Sequence, residues 1–110
     1  MSNLLDTDML EELREIMEDD FDILMETFLA ESAKQFQSIQ DAWQASDVDQ
    51  LRRSAHSLKG SCGNIGAISL QEHCANLEHA ARDEQLDNFE AMLAQVENTL
   101  QEVCAEIKRL

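Results

Sequence analysis

Leu51-Arg52-Arg53-Ser54-Ala55-His56-Ser57-Leu58-Lys59-Gly60-Ser61-Cys62-Gly63-Asn64-Ile65-Gly66-Ala67 is the stretch of this 110-residue chain that joins helical periodicity to a turn signal. Leu51, Ala55, Leu58 and Cys62 step by 4, 3 and 4 residues, the spacing of one helix seam turned toward a core. All three glycines of the chain fall near its end. Gly63 and Gly66 flank Asn64-Ile65 and offer the positive-φ positions at which a helix stops and the chain turns back.

Working outward, Asp47 with Gln50 three residues on predicts an N-cap and a helix over 48–62. Ser69 with Glu72 predicts a capping box and a helix over 70–84, with its seam at Leu70, Cys74, Leu77 and Ala81. Asp87 with Glu90 predicts another, opening a helix over 88–109 through Phe89, Met92 or Leu93, Val96, Leu100, Val103, Ile107 and Leu110. Upstream, Met9, Leu10, Leu13, Ile16 and Met17 recur at helical spacing over 7–17. Phe21, Leu24, Met25, Phe28, Leu29, Phe36, Ile39 and Trp43 do so over 20–45. Phe36 and Trp43 fit either the core or an exposed docking surface. Nothing resembling a linker or repeat interrupts the chain. Short connections force antiparallel neighbours, so the expectation is a single all-α domain over 1–110. It is an antiparallel up-down four-helix bundle with a short additional N-terminal helix as a lid across one end.

Composition limits the functions open to such a bundle. The formal net charge is −15, with 23 acidic against eight basic residues, which leaves no electrostatic footprint for nucleic acid or an anionic membrane surface. The chain lacks proline and tyrosine, a composition that suits helices and disfavours β-rich folds. No apolar run approaches the roughly 18 residues of a spanning helix, and Met1–Asp8 lacks the basic start of a signal peptide. Cys62, Cys74 and Cys104 make an odd number without a paired spacing, which fits a reducing cytoplasm. A compact acidic bundle is expected to be a monomer.

His56 does not fit a purely structural helix. At roughly 100° per residue it lies about 130° from the centre of its own helix seam, on the exposed side or at the seam's edge. Arg52, Arg53, Lys59 and Gly60 share that stripe, a small positive island on an acidic molecule. Lys59 at i+3 can set an ammonium beside an anion on the imidazole. Gly60 at i+4 costs helix stability, about 1 kcal/mol relative to alanine, and clears space for a partner's backbone. A neutral imidazole is a nucleophile, so nucleophile, cation and clearance suggest phosphoryl acceptance. Across an antiparallel turn, His56 falls level with about residue 76 or 77. On that helix Glu78 and Gln71 share one edge and His73 lies on the other. Glu78 is the best-placed carboxylate to hold the imidazole's second nitrogen, provided its edge faces His56.

The run Ala55-His56-Ser57-Leu58-Lys59-Gly60 followed by Gly66-Ala67 resembles the H-x-L-K-G…G-A signature of histidine-containing phosphotransfer (HPt) domains. The Leu70, Cys74, Leu77-Glu78 run is similar to the family's next helix. The specific part of the likeness covers residues 51–78, and the five-helix plan covers the whole length. The resemblance implies a phosphorelay intermediate of two-component signalling. His56 would accept a phosphoryl group on Nε2 from a receiver-domain phospho-aspartate of a hybrid sensor kinase and pass it to the aspartate of a response regulator. Lys59 would stabilise the phosphoryl charge and Gly60 would permit docking. Glu78 would match the position that hydrogen-bonds Nδ1, where many members carry glutamine. Arg52, Arg53 and Gly63 would lie at the partner-binding surface, and Met17, Phe21, Leu24 or Met25 would supply part of its apolar centre. The resemblance also implies a phosphocarrier without kinase activity of its own. No cofactor or metal is expected in this chain, Mg²⁺ belonging to the partner receiver domain.

Other readings are weaker. Cys62 and Cys74 fall on core seams, and His73 with His79 lacks the i, i+4 geometry of a helical metal pair. A histidine phosphatase would need a general acid and a phosphate-binding loop. A helical adaptor that binds or sequesters a partner without phosphorylation is the alternative, and His56→Ala would leave it working.

Overall fold

The computed structural model describes residues 4–110, and its helices are α1 (Thr7–Met17), α2 (Asp20–Gln44), α3 (Val48–Asn64), α4 (Ile68–Arg82) and α5 (Phe89–Lys108). No strand occurs among the described residues, and the first three positions of the 1–110 domain lie outside them. The chain forms the all-α bundle expected, with α1 as the additional N-terminal helix.

Two helix starts follow local side-chain chemistry. The Asp6 side chain accepts from the Met9 amide at 3.1 Å to open α1, and Asp47 accepts from the Gln50 amide at 3.0 Å to open α3. The other two expected capping boxes do not set their helices. The N-cap of α4 is Ala67 and that of α5 is Asn88, each without a side-chain cap bond. Helix α4 begins at Ile68, two residues earlier than expected, because the α3–α4 turn returns the backbone straight into helix. The Gln71 amide already reaches the Ala67 carbonyl at 2.9 Å, leaving Ser69 inside the first turn.

Three of the helix ends share one device. At the ends of α2, α3 and α4 a single residue takes positive φ: Ser46 (56°), Gly66 (69°) and Glu84 (53°). In each case the next amide reaches back to a carbonyl five residues earlier, as Asp47 to Ala42, Ala67 to Cys62 and Gln85 to Ala80, all at 2.9 Å. This is the Schellman arrangement, and it satisfies carbonyls a helix end would otherwise orphan. Only one of the three uses glycine. Gly63, expected as a second positive-φ position, instead lies within α3, which runs on to Asn64.

These tight reversals place α2, α3, α4 and α5 side by side in sequence order, and α5 closes back onto α2. The α3 seam of Leu51, Ala55, Leu58 and Cys62 is fully buried, as is the α4 seam of Leu70, Cys74, Leu77 and Ala81. Truncating such a side chain, Leu58→Ala for instance, costs about 2–5 kcal/mol. Phe36 is buried in the core, while Trp43 is half-buried and stacks on Phe89 with ring centroids 4.6 Å apart. That stack pins the first turn of α5 one residue later than the Asp87 box implied. Ile16 and Leu110 leave the expected seams and are 78% and 53% exposed.

Helix α1 meets the α3–α4 turn. The Asp6 amide donates to the Gly66 carbonyl at 2.8 Å, and a Cβ on Gly66 would lie 3.0 Å from Asp6 Cβ and 3.1 Å from Met9 Sδ. Gly66 is thus required twice, for its φ and for this close approach. Among the described residues, no helix is long and apolar enough to cross a membrane.

Candidate functional site

Packing the α3 and α4 seams against each other fixes which edges of the two helices meet. On α3, His56 projects outward with its side chain 65% exposed. On α4, Glu78 lies one residue beyond the buried Leu77, on the edge that faces α3, and its side chain is only 15% exposed. The two meet with Glu78 Oε2 2.8 Å from His56 Nδ1. The second carboxylate oxygen, Oε1, lies 2.6 Å from the Lys59 ammonium. One carboxylate therefore bridges the histidine and the lysine, three residues apart on the neighbouring helix.

The electrostatics of that bridge determine the ring's protonation pattern. Burial pushes the Glu78 carboxyl up, but the Lys59 ammonium and the His56 ring bonded to it outweigh that and hold it below the usual carboxylate range. An ionised carboxylate can only accept. The proton between the two groups therefore sits on Nδ1, which donates to Oε2, and in the neutral ring Nε2 carries the lone pair. Nε2 is the nitrogen on the far side of the ring from Glu78.

Around this pair the remaining candidates divide. A Cβ built on Gly60 would meet nothing within 4 Å, so nothing among the described residues explains a glycine at that helix position. Gly63 differs: a Cβ there would come within 2.9 Å of Gln71 Nε2, and its missing side chain makes room for Gln71 of α4. Arg52 and Arg53 both reach Asp49, each at 3.1 Å and on separate oxygens. The expected positive island is thus Arg52, Arg53 and Lys59 set against Asp49 and Glu78. The two arginine pairs with Asp49 are exposed, contribute little to stability and exchange partners readily.

Of the apolar residues proposed for a docking centre, Phe21 and Met25 are buried in the core, and Met17 and Leu24 are half-buried. Ile16 and Ile23 are the exposed ones nearby in sequence, at 78% and 59%. Two contacts had no clear sequence signal. Gln35 of α2 donates through Nε2 to Ser61 Oγ at 3.0 Å, tying α2 to α3 one residue past Gly60. Gln71 covers Gly63. A polar side chain across from a glycine or serine carries no periodic signature.

The three cysteines are free. A hydrogen bond to the Cys74 thiol, with burial, pushes the Cys62 thiol far up, and burial raises that of Cys104 too; thiols held protonated are poor nucleophiles and poor metal ligands. Among the described residues, no three His, Cys, Asp or Glu side chains group so as to hold a metal ion.

An exposed histidine on the outward face of a four-helix bundle, its second nitrogen held by a carboxylate of the next helix, is the arrangement of a phosphotransfer domain. The family model of the Hpt domain matches residues 23–106, and the chain belongs to that family, the histidine-containing phosphotransfer proteins of two-component signalling. The crystal structure of histidine-containing phosphotransfer protein B from Pseudomonas aeruginosa PAO1 matches with a TM-score of 0.95 and 36% sequence identity, over 99% of this chain and 95% of that one. No curated protein matches the chain.

Proposed function

We propose that this protein is a phosphorelay intermediate in which His56 carries the phosphoryl group. Nε2 attacks the phosphorus of a receiver-domain phospho-aspartate, and the group later leaves for the aspartate of a response regulator. The observation that carries this reading is the hydrogen bond between His56 Nδ1 and Glu78 Oε2 at 2.8 Å, which leaves Nε2 as the exposed, lone-pair-bearing atom. Both transfers are in-line displacements that need positioning and charge stabilisation more than protein acid–base chemistry.

Each neighbouring residue has a part. Glu78 orients the ring, Lys59 offers the cation nearest the phosphoryl group, and the open space at Gly60 admits the receiver backbone. Arg52 and Arg53 exchange Asp49 for acidic groups on the partner. Gly63 supports the site indirectly, by seating Gln71. The chain works as a carrier without kinase activity of its own, with Mg²⁺ supplied on the receiver side and no cofactor here. It acts as a monomer in the cytoplasm, where its three free cysteines stay reduced.

Phosphoryl transfer from labelled phospho-aspartyl receiver domains with Mg²⁺, to wild type and to His56→Gln, tests the proposal. Acid-labile, base-stable label on wild type alone is expected. Absence of label from every receiver tried, with both proteins folded by circular dichroism, contradicts the proposal and favours the adaptor reading.

A further inference from the structure

We infer that Glu78 and a phosphoryl group on His56 compete for the single ammonium of Lys59, so that Glu78 limits how far the protein is phosphorylated at equilibrium. This rests on His56 being the phosphoacceptor, as proposed above. In the unphosphorylated protein Lys59 Nζ lies 2.6 Å from Glu78 Oε1, and the other oxygen of the same carboxylate holds Nδ1 at 2.8 Å. Lys59 is therefore held on the Nδ1 side of the ring, whereas the phosphoryl group is built on Nε2, toward solvent.

The charge balance of the transfer creates the competition. The Nε2 lone pair forms the N–P bond, the aspartyl O–P bond breaks, and its electron pair stays on the departing carboxylate. The proton on Nδ1 stays in place, so the ring becomes a phospho-imidazolium still donating to Glu78 Oε2. The product sets a phosphoryl dianion and a carboxylate on either side of one cationic ring, with one lysine within reach of both. If Lys59 swings to the phosphoryl oxygens, Glu78 Oε1, which is closed off from solvent, loses the charge beside it. If it stays, the phosphoryl group is left to water. Neither Arg52 nor Arg53 pairs with Glu78: both face Asp49 on their own helix, and Lys59 is the cation on that carboxylate. Lysine suits the part, a compact charge on a flexible four-carbon stem.

Glu78 acts here as a positioning residue for Lys59, and its effect is separable from its effect on ring basicity. The experiment is a double-mutant cycle of wild type, Lys59→Ala, Glu78→Gln and the double variant. Each is equilibrated with one phospho-receiver that phosphorylates wild type, and the partition of phosphoryl groups is read after rapid quench. Glutamine still accepts from Nδ1–H, and any change in basicity enters both arms and cancels. Lys59→Ala should lower the phosphorylated fraction by a larger factor in the Glu78→Gln background than in wild type, by about fivefold or more. Equal factors, or a larger loss in wild type, would overturn the competition while leaving His56 as the acceptor. In wild type, the ¹⁵Nζ resonance of Lys59 should shift when the protein is phosphorylated, and an unmoved resonance would also overturn the inference. Failure of wild type to take up phosphoryl groups at all would instead remove the functional reading beneath it.

Discussion

Glu78 Oε2 on α4 lies 2.8 Å from His56 Nδ1 on α3, and this separation joins the bundle's packing to its chemistry. Leu58 and Leu77 are both completely buried, and the packing of their helices presents Glu78 to the imidazole. The carboxylate, held ionised by Lys59, fixes the proton on Nδ1 and leaves the lone pair of the neutral ring on Nε2. Glu78→Gln keeps an acceptor at that place and should retain the same tautomer, whereas Glu78→Ala removes it and should slow transfer by about tenfold or more. Single-turnover transfer from a phospho-receiver distinguishes the two; equal rates for wild type and Glu78→Ala would show that orientation through Nδ1 is dispensable.

The same pairing makes a prediction for acid stability. The folded-state pKa of Glu78 is lowered, so its contribution is present above the unfolded carboxyl value, about 4.3, and is lost as pH falls through the folded value. Stability falls there because the unfolded chain takes up the proton more readily. The melting-temperature advantage of wild type over Glu78→Gln should therefore shrink on acidification below about pH 5. Thermal melts of both proteins from pH 7 to pH 3 check this, and a constant difference would contradict it.

Gly60 should separate folding from function. A Cβ there meets nothing within 4 Å, so Gly60→Ala should stabilise the free protein by about 1 kcal/mol, or about 5 °C in melting temperature. Under the proposed docking, in which the receiver backbone uses that space, the same variant should transfer phosphoryl groups more slowly. Faster or unchanged transfer would leave the glycine without a role in docking.

The turns permit an opposing pair of substitutions. Glu84 holds φ at +53° on an exposed turn, a conformation glycine adopts without the side-chain penalty, so Glu84→Gly should raise stability by about 0.5–1 kcal/mol. Gly66→Ala should lower it by more than 1 kcal/mol, since φ of +69° and the Asp6 and Met9 contacts near 3 Å act together. Denaturant melts of both variants would show it.

Those turns also mark where sequence reasoning stops. The seams of α3 and α4 were legible because apolar spacing reports burial directly, and every residue of both is buried. The end of α3 was legible as a reversal because it carries glycines, but Ser46 and Glu84 perform the same reversal with no such signal. The capping pairs at Ser69 and Asp87 were misleading, since the positions of those helices are set by the Gly66 turn and by Phe89 stacking on Trp43. Within the site, Glu78 could be placed on an edge of α4 by angle alone, but whether that edge meets His56 depends on how two helices pack. The capture of Lys59 by Glu78 is a tertiary contact that residue spacing does not reveal, whereas Asp49 lies three and four residues before Arg52 and Arg53, a pairing the spacing does carry.

The most direct measurement of the central claim is ¹⁵N and ³¹P NMR of the protein phosphorylated by a phospho-receiver in the presence of Mg²⁺. One-bond ³¹P–¹⁵N coupling to His56 Nε2, with Nδ1 remaining protonated, is the predicted result. A phosphoryl group on Nδ1, on His73 or His79, or on no histidine at all would contradict the account.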